Sequence, residues 1–360
     1  MLFQIVALYP LHAEFFCGLG EFNLCELTVL YHFNDKYAPF AGTSMTSLFE
    51  NNRHFKKIRV FIMGENISSQ NIEKFFMLSS IYQRDIVFLN INDIIKTMRD
   101  INMPEYRGSY AANMRLFVAD AIPDDVDRLL YFDSDTIISG PLDELVSINL
   151  ENCPIAMVID SLGFAHKKEL KIKGNYYNSG TIVYQMNIWR AESYGEKIIN
   201  HIKNVRSHYP MPDQDLLNIV CEGKIKTLDP KYNLQPIHEL FPCKMYFRFY
   251  EKENYYSCEE IEEAVKNPVV YHFFRFCGEF PWNKNCVHPN RAIFDYYIER
   301  SPWKGYVKET ANLNLSFKIE KLIFIFFPQL LFLFAYKHAH NRMVHKANEI
   351  SLRNEVYSRF

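Results

Sequence analysis

Asp127-Arg128-Leu129-Leu130-Tyr131-Phe132-Asp133-Ser134-Asp135-Thr136 is the stretch of this 360-residue chain that decides its fold class. Residues 129–132 are a short unbroken apolar run, as expected of a strand covered on both faces in a parallel-type sheet. Two carboxylates follow where that strand emerges. Side chains alternate across a strand, so Asp133 and Asp135 point the same way, roughly 6 to 7 Å apart at about 3.3 Å rise per residue. Both therefore reach one ion. Paired carboxylates at the exit of an α/β strand suit a hard divalent cation, and Mg²⁺ or Mn²⁺ would share such oxygen ligands with a substrate phosphate. The competing reading is a plain turn, because Asp, Ser and the nearby Gly140-Pro141 are also turn formers.

Upstream, residues 28–33 read as a first strand, 34–37 as a polar turn and 41–52 as a helix. A strand, polar loop and helix at the start of an α/β sheet make a nucleotide pocket at the strand's carboxyl end. Strands at 58–63 and 85–91, separated by a helix carrying Ile72, Phe75, Phe76 and Leu78, complete a βαβαβ pattern. It has neither G-x-G-x-x-G nor a P-loop, which excludes the dinucleotide fingerprint and the Walker site. Residues 109–121 read as a helix with Arg115 in its middle, a solvated charge unless the helix lies against a nucleotide.

Downstream, a strand at 154–159 delivers Asp160, and residues 176–180 form a turn that feeds a strand at 181–184, followed by helical sequence over 187–204. Met211-Pro212-Asp213-Gln214-Asp215 opens another helix; proline near the first position and acidic residues in the first turn are ordinary helix-start chemistry. A late strand, 268–272, ends in His272, by itself more often a structural residue than a ligand.

With 40 basic and 42 acidic side chains the net charge is -2, which gives no electrostatic footprint for nucleic acid. Aromatic content of 16% favours a filled core and aromatic-lined clefts over disorder. The eight cysteines include no C-x-x-C pair and read as reduced thiols of a cytosolic protein, not as a disulfide framework or zinc site. Residues 1–27 are apolar but acidic and lack a basic leader segment, so they are set aside as an unassigned extension ahead of the domain.

Taken together and in order, the elements over residues 28–300 resemble glycosyltransferase family 8, which includes bacterial lipopolysaccharide galactosyl- and glucosyltransferases and the glycogenins. Five blocks carry the resemblance: His32-Phe33-Asn34-Asp35-Lys36-Tyr37 with residues 44–52; residues 110–115; residues 128–135; Asn178-Ser179-Gly180 running to Trp189-Arg190; and Asp213-Gln214-Asp215-Leu216-Leu217-Asn218. The resemblance implies an α/β GT-A fold, a Rossmann-like mixed sheet flanked by helices, with a UDP-sugar donor, Mn²⁺ and retention of anomeric configuration. It implies that Asp133, Asp135 and His272 hold the metal, that Asn34, Asp35 and Tyr37 sit by the base and ribose, and that Ser134 lies near the ribose. Arg115 falls beside the diphosphate, Gly278 is among the donor-binding residues, and Asp160, Asn178, Asp213 and Gln214 line the sugar and acceptor cleft. Two departures stand out. The family's closing pattern is roughly H-x-x-G-x-x-K-P-W, whereas here two extra residues separate His272 from Pro281-Trp282 and Phe280 stands where a lysine is expected, with Arg275 and Lys284 as candidates for its charge. Lys36 also replaces the asparagine common before Tyr37.

The resemblance assigns 28–303 to a single catalytic domain. Beyond it, residues 322–336 are mostly apolar, interrupted by Pro328 and Gln329 and followed by Lys337, His338, His340, Arg342, His345 and Lys346. A bilayer span needs about 20 apolar residues, so 304–360 is expected to be a peripheral anchor on the cytoplasmic membrane face rather than a transmembrane segment. The alternative is a helix packed on the domain. The functional expectation is a Mn²⁺-dependent hexosyltransferase, galactose or glucose passing from UDP to a bacterial surface-glycan or lipid-linked acceptor; the alternatives are a nucleotide-sugar hydrolase and an inactive sugar-nucleotide-binding or membrane scaffold protein.

Overall fold

The computed structural model describes residues 26–106, 108–250 and 253–358, so residues 1–25 of the expected extension at 1–27 lie outside the described residues, while Glu26 and Leu27 already belong to the first strand. Among the described residues there are nine strands: β1 (Glu26–Asn34), β2 (Lys57–Glu65), β3 (Asp85–Phe88), β4 (Arg128–Phe132), β5 (Thr136–Ile138), β6 (Ile155–Ile159), β7 (Tyr177–Gln185), β8 (Ile225–Thr227) and β9 (Val270–His272). Seven of them form one sheet in the order β3-β2-β1-β4-β7-β6-β8, and β5 pairs with β9 in a separate two-stranded sheet. Strands β1 to β4 run parallel, while β7 is antiparallel to both neighbours, β4 and β6. The sheet is therefore mixed.

The run 129–132 is fully buried in β4, as its unbroken apolar character requires. Strand order reverses between β1 and β4, and in open α/β sheets that reversal leaves a crevice outside the carboxyl ends of the two strands. Asn34 ends β1 on one side of the crevice, and Asp133 follows β4 on the other. The helix Ala38–Asn51, which starts three residues earlier than the sequence suggests, covers the sheet so completely that residues 40–49 are all buried. Its hydroxyls are satisfied inside the protein: Ser44 lies 3.0 Å from both the Tyr31 hydroxyl and Thr136 Oγ1.

Several local expectations change. Residues 111–120 form a 3-10 segment kinked at Phe117, not an α-helix, and Arg115 within it is buried rather than solvated. Residues 177–185 are one continuous strand, so Asn178-Ser179-Gly180 lies within the sheet and not in a turn before it. The helical stretch at 187–204 divides into Met186–Ala191 and Tyr194–Asn204, broken at Ser193, whose φ of 53° is left-handed.

The cysteines also depart from expectation. Cys243 and Cys258 form a disulfide with their Cα atoms 5.5 Å apart, while Cys153, Cys221, Cys277 and Cys286 are free. The two cysteines lie 15 positions apart in the sequence. The bond closes a tertiary loop, which no short-range cysteine spacing could reveal.

After Trp303 the chain remains attached to the domain. Helices Leu315–Phe326 and Gln329–Ser358 are separated at Pro328, and Phe332 and Leu333 of the second are buried in a small core with Ile237, Phe241, Tyr246, Tyr250 and Phe276. His345 and Asn348 each lie 2.9 Å from the Glu169 carboxylate, and Glu355 accepts from the backbone of Ser207 and His208. Packing on the domain is thus realised for one face of the tail. The other face leaves Leu322, Ile325, Phe326, Phe327, Leu331 and Phe334 exposed. Among the described residues, no helix is long and apolar enough to cross a membrane.

Candidate active site

Strand β4 stops at Phe132, so Asp133 and Asp135 lie in the turn between β4 and β5 and not on one extended strand. They still converge. The Asp133 N–H donates to Gly180 O at 2.9 Å, which carries the β4–β7 ladder one step past the strand. The register of β5 against β9 then sets Thr136 opposite His272, and Phe273 N–H donates to Asp135 O at 2.8 Å. A histidine 137 positions away is thereby delivered to the carboxylates by backbone pairing. Ligand atoms of Asp133, Asp135 and His272 all lie within 4.8 Å of one another, the one such trio of His, Cys, Asp or Glu among the described residues.

Each member of the trio is aimed by a neighbour. His272 Nδ1 faces Asn233 Oδ1 at 2.9 Å and so carries the proton, leaving Nε2 3.4 Å from Asp135 and 3.6 Å from Asp133. Asn233 in turn donates to Asn178 Oδ1 at 2.8 Å. Gly180 is small for a spatial reason: a Cβ there would stand 2.1 Å from His272 Cε1 and 2.3 Å from Nδ1. Asp133 Oδ1 accepts from Arg115 Nη2 at 2.6 Å and from the Tyr131 hydroxyl, which leaves Oδ2 on the side of His272. Burial alone would raise the Asp133 pKa, but Arg115 and His272 hold it below its usual value.

Arg115 is the central cation. Its guanidinium donates to Ser179 O at 2.6 Å, lies 3.1 Å from Asp213 Oδ2 and stacks 4.5 Å above the Tyr131 ring. Burial works against its charge, but the surrounding Asp133, Tyr131 and Asp213 raise its pKa, so it stays protonated. Asp213 is raised by burial despite Arg115. One fixed positive charge thus stands among the carboxylates of Asp133, Asp135, Asp160 and Asp213. That imbalance, together with convergent hard oxygen donors and one imidazole nitrogen, fits a divalent cation.

Beside this centre, Gln214 Oε1 accepts from Asn178 Nδ2 and Ser179 N, both at 3.0 Å, while its Nε2 donates at 3.1 Å to Asp160 Oδ2 and to the Tyr176 hydroxyl. Asp160 Oδ2 also accepts from Asn178 Nδ2 at 3.0 Å, and Oδ1 from Leu162 N at 2.8 Å. The residues expected to line one cleft therefore form one hydrogen-bonded cluster.

At the β1 edge the placements are mixed. Ser134 is buried and donates to His32 O at 3.3 Å. Asn34 Oδ1 is buried and has no hydrogen-bond partner. Asp35 Oδ1 is held by Ser68 N, Ser68 Oγ and Asn71 Nδ2, each at 2.8 Å, at the start of helix Ser69–Tyr82. Burial opposes its ionisation, yet those donors lower its pKa. Tyr37 meets Phe40 and Trp282 edge to face, and Trp282 stacks on Phe280 with ring centroids 4.5 Å apart. The guanidinium of Arg275 lies 5.3 Å over the Phe280 ring, whereas Lys284 is exposed in the following turn. Gly278 has φ 78°, and a Cβ there would meet Phe317 at 2.6 Å and Leu313 at 2.7 Å, so this turn packs against the tail.

Sequence reasoning missed Asn233, Tyr131 as a partner of Asp133, and Tyr176. Asn233 sits in a short 3-10 turn with no distinguishing local pattern, and Tyr131 and Tyr176 read as ordinary aromatic residues. The roles of Asn233 and Tyr176 arise from tertiary contacts, whereas Tyr131 lies two residues from Asp133, a spacing that same-face alternation along the chain could have flagged.

Residues 28–286 match the sequence profile of glycosyl transferase family 8. The chain is 25% identical over 307 residues to a lipopolysaccharide 1,2-glucosyltransferase of Escherichia coli K12, an alignment covering 83% of this chain and 86% of that one. It is 26% identical over 291 residues to a lipopolysaccharide 1,3-galactosyltransferase of Salmonella typhimurium, with 77% and 79% covered. The solved structure of galactosyltransferase LgtC, in complex with donor and acceptor sugar analogues, superposes with a TM-score of 0.60 at 18% identity, over 76% of this chain and 96% of that one.

Proposed function

The chain belongs to glycosyl transferase family 8, and from that membership we propose that it is a retaining, metal-dependent hexosyltransferase. It moves galactose or glucose from a UDP-sugar to a surface-glycan acceptor of the lipopolysaccharide type. The observation that carries the reading is the convergence of Asp133, Asp135 and His272 at the strand-order reversal, with Arg115 buried beside them. Asp133 Oδ2, Asp135 and His272 Nε2 would hold the ion, Mn²⁺ or Mg²⁺. When bound, that ion supplies Lewis-acid stabilisation of the diphosphate leaving group.

The protein's own side chains prepare that departure. Arg115 and Tyr131 keep Asp133 ionised and oriented, and Asn233 keeps His272 in the tautomer whose Nε2 faces the carboxylates. Arg275, over the ring of Phe280, is the better candidate for the cation that the family's lysine supplies, since Lys284 is solvated. Asn34, with its unpartnered Oδ1, and Ser134 suit hydrogen bonds to base and ribose. Gln214 Oε1 is already engaged by backbone and side-chain donors, which argues against nucleophilic attack by that oxygen. Both protons of its Nε2 are likewise committed, to Asp160 and Tyr176, so Gln214 would act on the sugar through the Asp160 carboxylate that it holds, with Asp213 held back by Arg115.

Residues 28–303 form the catalytic domain in this reading, and the exposed apolar face of the tail lies on the cytoplasmic leaflet. The Leu322, Ile325, Phe326 and Phe327 side chains and the nearby Lys318 suit an anionic interface. Flotation with anionic vesicles tests this part: Ile325→Asp/Phe326→Asp should abolish co-flotation, and unchanged flotation would exclude this face as the anchor.

The test of activity is UDP release from a panel of UDP-sugars, with and without Mn²⁺, in the presence of oligosaccharide acceptors. Acceptor-stimulated, metal-dependent release from UDP-glucose or UDP-galactose is expected. Release that no acceptor stimulates would favour hydrolysis. No release and no metal-dependent UDP binding would overturn the proposal.

A further inference from the structure

Gln214 is held by a layer of side chains that the reaction itself does not require. A carboxamide has two orientations of almost identical shape, related by a half-turn, and its partners decide between them. The Ser179 N–H can only donate, so Oε1 must face it, and the Asp160 carboxylate accepts, so Nε2 must face that. The second proton of Nε2 goes to the Tyr176 hydroxyl at 3.1 Å.

A hydroxyl is ambiguous, since it can donate or accept. Asp215 removes the ambiguity. It is fully buried, its Oδ2 accepts from Met211 N at 2.9 Å, and its Oδ1 accepts a hydrogen bond from the Tyr176 hydroxyl. Burial and Asp215 together raise the Tyr176 pKa well above its ordinary value, so the phenol keeps its proton. With that proton committed to Asp215, the phenolic oxygen presents only a lone pair to Gln214. Behind it the His166 ring stacks on Tyr176 with centroids 5.2 Å apart and planes 14° from parallel. His166 lies on the helix Phe164–Leu170, against which the tail helix Gln329–Ser358 packs.

We propose that Tyr176, with its hydroxyl oriented by Asp215, is a positioning residue that fixes the Gln214 carboxamide and through it the Asp160 carboxylate. The proposal rests on the reading that Gln214 and Asp160 face the transferred sugar. Removing the Tyr176 hydroxyl leaves the second Nε2 proton without its acceptor, so that the amide, still bonded to Ser179 and Asp160, is no longer held in a single torsion. The ion-binding trio is not touched.

The test is a double-mutant cycle on Tyr176→Phe and Gln214→Ala, read as UDP release from UDP-glucose and UDP-galactose with Mn²⁺, with UDP affinity measured in parallel. Tyr176→Phe should lower kcat about tenfold while the donor KM and metal-dependent UDP affinity stay within about twofold. Gln214→Ala should lower kcat at least as far, and the double variant should be no slower than Gln214→Ala. A merely structural tyrosine predicts the opposite, a further loss of the same factor in the double variant. Unchanged kcat in Tyr176→Phe, or additive losses, overturns the positioning role. Unchanged kcat in Gln214→Ala overturns instead the site reading on which it rests. Asp215→Asn, which keeps the side-chain shape, replaces Tyr176→Phe in the cycle if the latter does not fold. A crystal structure of either variant tests the proposal without turnover: Gln214 should populate a second orientation, and a Gln214 that keeps its bonds to Ser179 and Asp160 in a single conformer refutes it.

Discussion

Gly180→Ala joins the packing of β7 directly to the candidate metal centre. An added Cβ would lie 2.1 Å from His272 Cε1. Ordinary carbon contacts are about 3.5 Å, so the ring must retreat by about 1.4 Å or the strands must separate. Either movement breaks the 2.9 Å bond from His272 Nδ1 to Asn233 and draws Nε2 away from Asp133 and Asp135. Overpacking of this kind costs about 1–3 kcal/mol, and the disturbed buried hydrogen bond adds about 1 kcal/mol. Loss of the partner that aims a metal-ligating histidine typically weakens metal affinity about 10- to 100-fold. The assay is Mn²⁺ binding by electron paramagnetic resonance of the free ion, alongside denaturant unfolding of the same sample. Gly180→Ala should lose about 2–4 kcal/mol of stability and bind Mn²⁺ at least tenfold more weakly, while Gly174→Ala, where a Cβ meets nothing within 4 Å, should change neither. A stably folded Gly180→Ala protein with unaltered Mn²⁺ affinity would refute the placement of His272 in the metal centre.

Other outcomes follow from the same geometry. Arg115→Met strips the half-buried Asp133 and the buried Asp213 carboxylates of their shared cation and should destabilise the fold by about 3–5 kcal/mol, measured by urea unfolding at pH 7. Reducing Cys243–Cys258, or Cys258→Ser, removes the closure of a 15-residue separation and should cost about 3 kcal/mol, seen as a lower urea midpoint; an unchanged midpoint would show that the crosslink does not constrain the unfolded chain. Burial lowers the His288 pKa to about 4, although its bond to Phe274 O opposes the shift. Below pH 6.5 the unfolded chain therefore binds the proton that the folded chain refuses. Stability is full above pH 6.5 and falls toward pH 4 at about 1.4 kcal/mol per pH unit, about 3 kcal/mol in all for this residue; His288→Gln should flatten the dependence measured by urea unfolding between pH 7 and 4.5.

Much of the centre was legible in the chain itself because it is written in local order. The apolar run 129–132 had to be a covered strand, and carboxylates at its exit had to emerge past that strand's carboxyl end. Pro212 and the acidic first turn marked the helix that carries Asp213 and Gln214. The alternation argument for Asp133 and Asp135 reached a correct convergence by an incorrect route, because a turn and not a strand brings them together. Family resemblance, and no local pattern, singled out His272.

What only the tertiary structure decided is everything that depends on pairing between distant segments. The β5–β9 register places His272 beside Asp135, and the kinked 3-10 segment turns Arg115 inward to Asp133 and Asp213. A 15-residue separation hides the disulfide, and the tail's apolar residues divide between a docked face and an exposed one. The sequence by itself determined where the covered strand of residues 129–132 ends and where the Pro212 helix begins, because propensity and hydrophobic periodicity act over a few residues. It could not determine which of those ends meet, because that depends on sheet order, register and burial, which exist only once the whole chain has packed.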